Sequence, residues 1–503
     1  MEIFGVLSTA VAYRRAYDLL AQGDLSGALA LTADLALRPD AGPGALAARA
    51  TVLKAAGKPL EALSVNEAAV ARFTGNGVCW HNLASTLGDL GRAAEAEAAA
   101  RRAISLGVKA PETRLVLARA LQSQLRLEEA EAVFGEALAA RPDYEEAHRD
   151  LAQLIWMRTG DARAATARLE WAIANLPNGS NLRYALALAR EYTGDPQGAR
   201  AVLEAGLATT PGDRRLLVFA VEVCCELGDA EAALAWARSM GVSEQDFNAQ
   251  SSLAQALMAA GDAPGAARAA SLAGSLSPDD QFTLALQATA WRLAGDARYQ
   301  QAYDYDRLVA TYDLFDPDRS EDRQFLEALR EALMRLHGFA THPFGQSVRG
   351  GGQATLRLDG GHEPPIEHLL QRFREAVNRR AAELPASDGP FERRNTGAAS
   401  ITGAWSVRLG SSGRHTNHIH PQGWISSAFY VSLPSVVSDQ DTRAGWIKFG
   451  EPALRTSPAL GAEHFVQPKP GRLVLFPSYM WHGTVPFVSE EDRLTVAFDA
   501  APA

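Results

Sequence analysis

The sequence predicts a multidomain α + β protein, with an N-terminal α-solenoid over residues 1–300 and a β-rich domain with supporting helices over residues 301–503. Three observations carry this prediction. A 34-residue period runs through the first part, that period stops after Gly295, and short strand-like segments fill the last hundred residues. A period of this length is typical of stacked helical repeats. Closely spaced short strands are typical of a sandwich or a jelly-roll barrel.

Glycines between Ala- and Leu-rich stretches set the period. Their successive steps are 34, 34, 69, 34, 34, 33 and 34 residues, for Gly23, Gly57, Gly91, Gly160, Gly194, Gly228, Gly261 and Gly295. The step of 69 residues covers two units, and Leu125 stands where the missing glycine would be. Five positions after every turn up to Gly261 comes an alanine, from Ala28 to Ala266, which allows two helices to approach closely. Each unit is therefore predicted to be a helix, a turn and a second helix.

These units resemble the tetratricopeptide repeat family over about residues 10–300. The unit around residues 77–110 carries the resemblance best, through Trp80, Leu83, Ala84, Leu87, Ala96 and Ala103. The resemblance implies a superhelix whose concave face often holds peptides or partner proteins. The alternative is that the array only spaces the rest of the chain or assembles it into a homo-oligomer.

Composition excludes several classes of partner. Lys and Arg number 49 against 59 for Asp and Glu, a net charge of −10, so nothing favours a nucleic-acid partner. The N-terminal segment has no basic start followed by an apolar stretch, and no run of about 18 uncharged apolar residues occurs, so we expect no membrane partner. The three cysteines include an adjacent pair, which is a poor basis for disulfides. We therefore expect a cytoplasmic protein.

The β-rich domain is predicted to begin with amphipathic helices at 320–337 and 364–384. Six strands are then expected, at 403–410, 424–434, 445–450, 472–477, 480–487 and 492–500. Gly350, Gly351 and Gly352 lack the Gly-Lys-Ser/Thr sequence of a phosphate loop, and a tight turn is predicted there.

Histidines are concentrated in this domain and point to a metal site. His418 and His420 are two apart, so on an extended backbone they face the same side, where their imidazoles can share one metal ion. His482 lies on a later predicted strand, and Arg493 follows at the start of the last one. For His415 a structural or solvated role is favoured, and the alternative is that it orients one of the metal ligands.

The order of these residues resembles that of the iron(II)- and 2-oxoglutarate-dependent oxygenases. The segments GAWSVRLGSSGRHTNHIHPQGWISSAFYVSLP, PGRLVLFPSYMWHGTVPF and DRLTVAFDA carry the resemblance, which covers about residues 300–503. It implies a double-stranded β-helix, Fe(II), 2-oxoglutarate and O₂. Arg493 would bind the distal carboxylate of the cosubstrate, with Thr495 and Tyr430 adding hydrogen bonds.

One departure concerns His420, which stands where the wider family has Asp or Glu. Either His418, His420 and His482 all bind iron, or only His418 and His482 do so and water or an anion fills the third place. Thiol dioxygenases of the cupin barrel also use three histidines, without 2-oxoglutarate. Arg493 and Thr495 favour the cosubstrate.

The function predicted from these features is hydroxylation of a peptide or protein substrate recruited by the repeats. The rival hypothesis is a non-catalytic adaptor, in which the repeats bind a partner and the barrel is idle or senses metal.

Overall fold

The computed structural model describes residues 9–38, 40–176, 179–241, 243–385 and 387–503. The first eight residues, on which the expectation about the N-terminal segment partly depends, lie outside the described residues. Packing of the backbone divides the chain into two compact units, Met1–Leu151 and Ala152–Ala503. The domain boundary near residue 300 stays a prediction.

Helices account for most of the chain up to residue 308. They are α1 (Thr9–Ala21), α2 (Leu25–Leu37), α3 (Pro43–Ala55), α4 (Pro59–Arg72), α5 (Gly77–Asp89), α6 (Ala93–Ser105), α7 (Pro111–Ser123), α8 (Leu127–Ala140), α9 (Glu145–Thr159), α10 (Ala162–Asn175), α11 (Arg183–Tyr192), α12 (Pro196–Thr209), α13 (Arg214–Leu227), α14 (Ala230–Ser239), α15 (Phe247–Ala260), α16 (Ala263–Leu276), α17 (Gln281–Ala294), α18 (Arg298–Ala302) and α19 (Tyr305–Leu308).

The predicted repeat pattern is confirmed at the turns. Each glycine of the series takes a positive φ, from +66° to +90°, which ends one helix and redirects the chain into the next. Leu125, which replaces a glycine, takes the same left-handed conformation with φ +58°. Several of the following helices are capped by an aspartate that accepts a backbone N–H, for example Asp195 and Asp229. The alanines five residues after each turn are all buried, as the close approach of two helices requires.

In the described portion of the C-terminal part, nine strands form two antiparallel sheets. The strands are β1 (Ala310–Asp313), β2 (Val348–Leu356), β3 (Ala399–His415), β4 (Ile425–Ser432), β5 (Ile447–Phe449), β6 (His464–Val466), β7 (Arg472–Pro477), β8 (His482–Thr484) and β9 (Arg493–Pro502). One sheet has the order β1-β7-β4-β9-β3-β2 and the other β6-β5-β8. This confirms the predicted fold class, a helical repeat region followed by a jelly-roll domain.

The tight turn predicted at Gly350–Gly352 is wrong, because these residues lie within β2. Gly350 takes a φ of +66°, and the register against β3 shifts between Arg349 and Gly351, which is a β-bulge. A Cβ at Gly351 would overlap the carbonyl oxygen of Arg408 on β3. The glycines therefore allow two backbones to approach closely, and β2 pairs Val348 with His415 at the edge of the site described below.

Two helices cover the larger sheet as predicted, α20 (Ser320–Met334) and α21 (Pro364–Glu383). Phe373 of α21 packs against Phe429 of β4 and Phe498 of β9, with ring centroids 5.4 and 4.8 Å away. The last repeat helix joins the same core, since Leu284 and Ala288 of α17 are buried in it. Among the described residues, none of the helices combines the length and apolarity needed to cross a membrane.

Candidate metal centre

The segment between β3 and β4 carries two histidines and is tied to β8 through its backbone. His418 N–H donates to the carbonyl of His482 at 2.9 Å, and His482 N–H donates back at 3.1 Å. His420 N–H donates to the carbonyl of Ser478 at 2.9 Å. These bonds bring three imidazoles together, with ring centroids 4.1 Å apart for His418 and His482 and 5.1 Å for the other two pairs. One ring nitrogen from each lies within 4.8 Å of the others.

The outer nitrogens of the three rings are all engaged, which fixes their tautomers. His418 Nδ1 lies 2.8 Å from the carbonyl of Thr416, and His482 Nδ1 lies 3.0 Å from the carbonyl of Met480. Because a carbonyl oxygen only accepts, both Nδ1 atoms carry the proton, and Nε2 of each ring is unprotonated. This is the arrangement in which a histidine binds a metal ion through Nε2.

His420 differs, because a carboxylate holds its outer nitrogen. Its Nδ1 lies 2.9 Å from Oδ2 of Asp499 on β9, and Asp499 also accepts a hydrogen bond of 2.7 Å from Ser426. The indole of Trp405 stacks on the His420 ring, with ring centroids 5.5 Å apart. Sequence reasoning missed Asp499. The sequence feature that could have revealed it is the alternation of side chains along β9, which puts residues 493, 495, 497 and 499 on one face of the strand.

Burial keeps the imidazoles of His418 and His482 neutral. It is the main cause that lowers the pKa of His418 to about 3, and the adjacent His420 lowers it further. Burial likewise holds the pKa of His482 well below its ordinary value, with His418 as the next cause. Neutral imidazoles have lone pairs ready for a cation, whereas protonated ones would repel it.

His415 lies beside the three rings but is engaged elsewhere. Its ring stacks on that of His418 at 5.7 Å, and its Nδ1 contacts the hydroxyl of Ser347 at 2.9 Å. The same hydroxyl lies 3.2 Å from Nε2 of His418. Ser347 therefore links His415 to the edge of the cluster, and His415 is outside the group of three.

A second feature of the site is the buried cation Arg493, whose side chain comes from the start of β9. The residue is 3% exposed, and its Nη1 donates to Thr484 Oγ1 at 3.0 Å. Its Nε is enclosed without a hydrogen-bond partner, and so is the hydroxyl of Tyr430, whose ring lies 5.3 Å from the guanidinium. Among the described residues no carboxylate pairs with Arg493. A buried positive charge without a carboxylate partner is costly, and an anionic ligand in the cavity would stabilise it.

The cluster and the cation face one cavity of about 400 Å³, lined by strands of both sheets. Five of the six predicted site residues line it, namely His418, His420, His482, Arg493 and Thr495. Tyr430 lies on β4 opposite Thr495 in the strand register and beside Arg493. The site thus combines three convergent imidazoles with a buried cation, a set that can hold a divalent metal ion next to a carboxylate ligand.

Comparison with protein families gives two matches, one in the β-rich part of the chain and one in the helical part. Residues 403–499 match the family described as "Putative 2OG-Fe(II) oxygenase". Residues 78–106 match the tetratricopeptide repeat, a module that generally mediates protein–protein interaction. No curated protein matches the chain.

Solved structures that resemble the chain include three helical-repeat proteins. MamA from Desulfovibrio magneticus RS-1 is 16% identical, with a TM-score of 0.30 over 34% of this chain and 96% of that one. A tetratricopeptide repeat protein from Parabacteroides merdae is 20% identical, with a TM-score of 0.34 over 49% and 97%. Pseudomonas aeruginosa pilF is 15% identical, with a TM-score of 0.30 over 41% and 94%.

Proposed function

Because the chain carries a tetratricopeptide repeat and a domain of this 2-oxoglutarate/Fe(II) oxygenase family, we propose that it is a hydroxylase that uses Fe(II), 2-oxoglutarate and O₂. The observation that carries the proposal is the cavity itself, in which three convergent histidines face a buried arginine that has no carboxylate partner among the described residues. Its substrate is a peptide or protein, recruited by the repeats.

In this proposal His418, His420 and His482 bind the metal ion through their Nε2 atoms. Three protein ligands leave open positions for a cosubstrate and for O₂. Three neutral ligands also leave the ion with more of its positive charge than a set that includes a carboxylate. Asp499 moderates this difference, because it places a negative charge against Nδ1 of His420.

The cosubstrate is held by Arg493 and by the hydroxyl groups next to it. Arg493 binds the distal carboxylate of 2-oxoglutarate, and Thr495, two residues along the same face of β9, contributes its hydroxyl. The enclosed hydroxyl of Tyr430 provides a further donor beside Arg493. Two orphaned polar groups in one wall support this assignment, since such groups are rarely left unsatisfied in a folded protein.

When bound, ferrous iron with 2-oxoglutarate and O₂ supplies the oxidant that converts a substrate C–H bond to C–OH, with succinate and CO₂ as coproducts. The protein side chains bind and orient. Trp405 and Asp499 fix the plane of the His420 ring, and Arg493 fixes one end of the cosubstrate.

We also place the protein in a reducing compartment, the cytoplasm. All three cysteines are free thiols, and all three are buried. Burial raises the pKa of Cys225 to about 12, so this thiol stays protonated and unreactive.

An anaerobic titration tests the proposal. Addition of 2-oxoglutarate to the Fe(II)-loaded full chain should produce a visible charge-transfer band, and admission of O₂ should release succinate. His418→Ala, His420→Ala and His482→Ala should each lose iron by elemental analysis. His415→Gln is the matched control, because its ring stands beside the cluster but outside it, and it should retain iron.

Three outcomes would contradict parts of the proposal. No band and no succinate from iron-loaded protein would favour an idle or metal-sensing barrel. O₂ consumption that does not depend on 2-oxoglutarate would favour a three-histidine dioxygenase, the candidate that the neutral ligand set itself suggests. Full iron content and turnover in His420→Ala would leave only His418 and His482 as ligands.

A further inference from the structure

Gln353 of β2 lines the metal cavity at a distance from the groups assigned to the cosubstrate. The strand register places it opposite Val407 of β3, which in turn stands opposite Thr495 of β9. Directly opposed residues point to the same face of a sheet. Because adjacent strands lie about 4.8 Å apart, the backbone of Gln353 is about 10 Å from that of Thr495. Its side chain therefore faces the part of the cavity that Arg493 and Thr495 leave open.

Trp405 connects this part of the cavity with the histidine cluster. It lies two residues before Val407 on the same face of β3, so it is a diagonal neighbour of Gln353, at a separation that long side chains span. The Trp405 ring stacks on that of His420. A ligand that contacts Gln353 and Trp405 together is therefore next to a candidate metal ligand.

The charged side chains of the cavity are already engaged. Apart from the histidines, the lining holds one acid and one base, Asp499 and Arg493. Asp499 lies 2.9 Å from Nδ1 of His420 and accepts from Ser426 at 2.7 Å, and Arg493 is assigned to the cosubstrate. No charged group of the described lining is left for an ammonium or carboxylate group of a substrate. A charged substrate side chain would lose its hydration there without gaining a partner.

Neutral amides remain available for hydrogen bonds to a substrate. Gln353 is half-buried, and its side-chain amide makes no hydrogen bond with another described residue. Gln346 and Gln422 line the same cavity, but both are exposed and lie in loops. Gln353 differs from them because β2 pairs with β3 without a break from Gly351 to Leu356. This pairing fixes the direction in which the Gln353 side chain leaves the sheet.

We propose that Gln353 determines substrate specificity and that the side chain entering the metal cavity is a carboxamide, from an Asn or Gln residue of a peptide, an inference that rests on the function proposed above. A carboxamide carries an N–H donor and a C=O acceptor on one planar group. Two such groups side by side form a pair of hydrogen bonds, in which each group donates once and accepts once. An alkyl side chain would displace water from the Gln353 amide without replacing its hydrogen bonds, and a carboxylate could only accept.

Peptide binding to the full chain, prepared without metal, tests the proposal without any turnover. The probes are acetylated and amidated heptapeptides of Gly and Ala with a central Asn, Leu or Asp, three side chains of similar shape, and the measurement is calorimetry. 2-Oxoglutarate is present in every titration, so that Arg493 is not free to bind the Asp peptide. The Asn peptide should bind about 10-fold or more tightly than the Leu peptide, because it adds two hydrogen bonds. The Asp peptide should bind no more tightly than the Leu peptide.

Substitutions locate the effect. Gln353→Met removes the amide at similar size and should abolish the preference for Asn over Leu, and Gln353→Glu, which loses the donor, should reduce it. Gln422→Met and Gln422→Glu make the same changes at an exposed position of the same cavity, and these matched controls should keep the preference. Equal affinity of wild type for the Asn and Leu peptides would overturn the proposal. So would the absence of binding by both peptides, or a preference that is unchanged in Gln353→Met.

Two further comparisons separate the sources of failure. Free asparagine has an ammonium and a carboxylate group that the cavity cannot pair, so it should bind more weakly than the Asn peptide. If it binds as tightly, the carboxamide is recognised in a small molecule and the assignment to a peptide is wrong. The comparison of Asn with Leu involves neither iron nor a carboxylate, so its failure rejects the role of Gln353, whereas a missing charge-transfer band in the iron-loaded protein rejects the oxygenase.

Discussion

Arg493 is the residue on which the cosubstrate assignment depends, because nothing in the described part of the chain balances its charge. We expect Arg493→Ala to raise the apparent KM for 2-oxoglutarate by about 30-fold to several thousand-fold, since loss of one partner of a desolvated charge pair costs about 2–5 kcal/mol. The KM of Arg493→Lys should lie between those of wild type and Arg493→Ala. Lysine keeps the positive charge but lacks the planar guanidinium, which binds a carboxylate through two parallel hydrogen bonds. Succinate formation at varied 2-oxoglutarate measures both.

The control for this prediction is Arg408→Ala. Arg408 lies on the adjacent strand β3, and its guanidinium pairs with Asp492 rather than facing the cavity. The substitution Arg408→Ala should leave the KM for 2-oxoglutarate unchanged. An unaltered KM in Arg493→Ala would remove this residue from the cosubstrate site.

Asp499 distinguishes His420 from the other two histidines, whose outer nitrogens bind backbone carbonyls. We expect Asp499→Ala to weaken metal binding by about 10–100-fold, because loss of the group that orients a ligand has effects of this size. The loss of metal affinity should be smaller in Asp499→Asn, because the amide oxygen still accepts a hydrogen bond from Nδ1 of His420 although it carries no charge. Competition with a chelator measures the metal affinity.

Asp499→Ala is informative even though the carboxylate also accepts from Ser426. Ser426→Ala removes that second bond and the contact of Ser426 with Ser478 but leaves the bond between Asp499 and His420, so it serves as the control, with metal affinity close to that of wild type. If Asp499→Ala binds metal normally while His418→Ala does not, His420 is not a ligand.

At the scale of single elements, the bulged strand β2 shows where a local sequence signal fails. Three consecutive glycines favour a turn, but the pairing of β2 with β3 requires a strand there that can approach Arg408 closely. Tertiary pairing therefore overrides the local preference. The short strands β1 and β6 were missed for a related reason, since three or four residues carry too little periodicity to be recognised.

Neighbouring glycines of β2 provide a matched pair of substitutions. Gly351→Ala should lower the free energy of unfolding by about 1–3 kcal/mol, because its Cβ would overlap the Arg408 carbonyl and a packed backbone yields little. At Gly352 the nearest atom to a new Cβ is 3.7 Å away, so Gly352→Ala should be close to neutral. Urea denaturation measures both. Equal effects would mean that β2 and β3 are not packed this closely.

The site itself was predictable where its residues share a strand or a strict spacing. His418 with His420, and Arg493 with Thr495, are each two residues apart, so alternation placed each pair on one face. A second cavity of about 730 Å³, which shares His415 and Thr484 with the metal cavity, could not be predicted in the same way. Glu191 and Glu222 belong to different repeats, and they meet Arg349 and His415 only through tertiary packing.

At the scale of the whole molecule, the last repeats are part of the support of the β domain. Trp481, next to the ligand candidate His482, donates its indole N–H to Thr289 Oγ1 of α17 at 2.9 Å. Arg292 of α17 donates to the carbonyl of Gly450 at 2.8 Å. Further up the chain, the backbone of Ala340 donates to the carbonyl of Met157 at 2.8 Å. Helices that precede residue 301 therefore hold the loops around the site.

This packing predicts that a fragment of residues 301–503 will not fold on its own, whereas a fragment of residues 143–503 will. Removal of α17 exposes the surface that covers Leu284, Ala288 and Thr289, and each large apolar side chain withdrawn from a core costs about 1.5–3 kcal/mol. Domains are stable by only about 5–15 kcal/mol, so a few such losses suffice. The longer fragment begins before α9 and keeps the compact unit Ala152–Ala503 whole.

Cooperative thermal unfolding and iron content of the two fragments measure the outcome, with the full chain as reference. A shorter fragment that unfolds cooperatively and binds iron would show that the β domain is independent of the repeats, and the helices before it would then serve only to bind a partner or to assemble the protein.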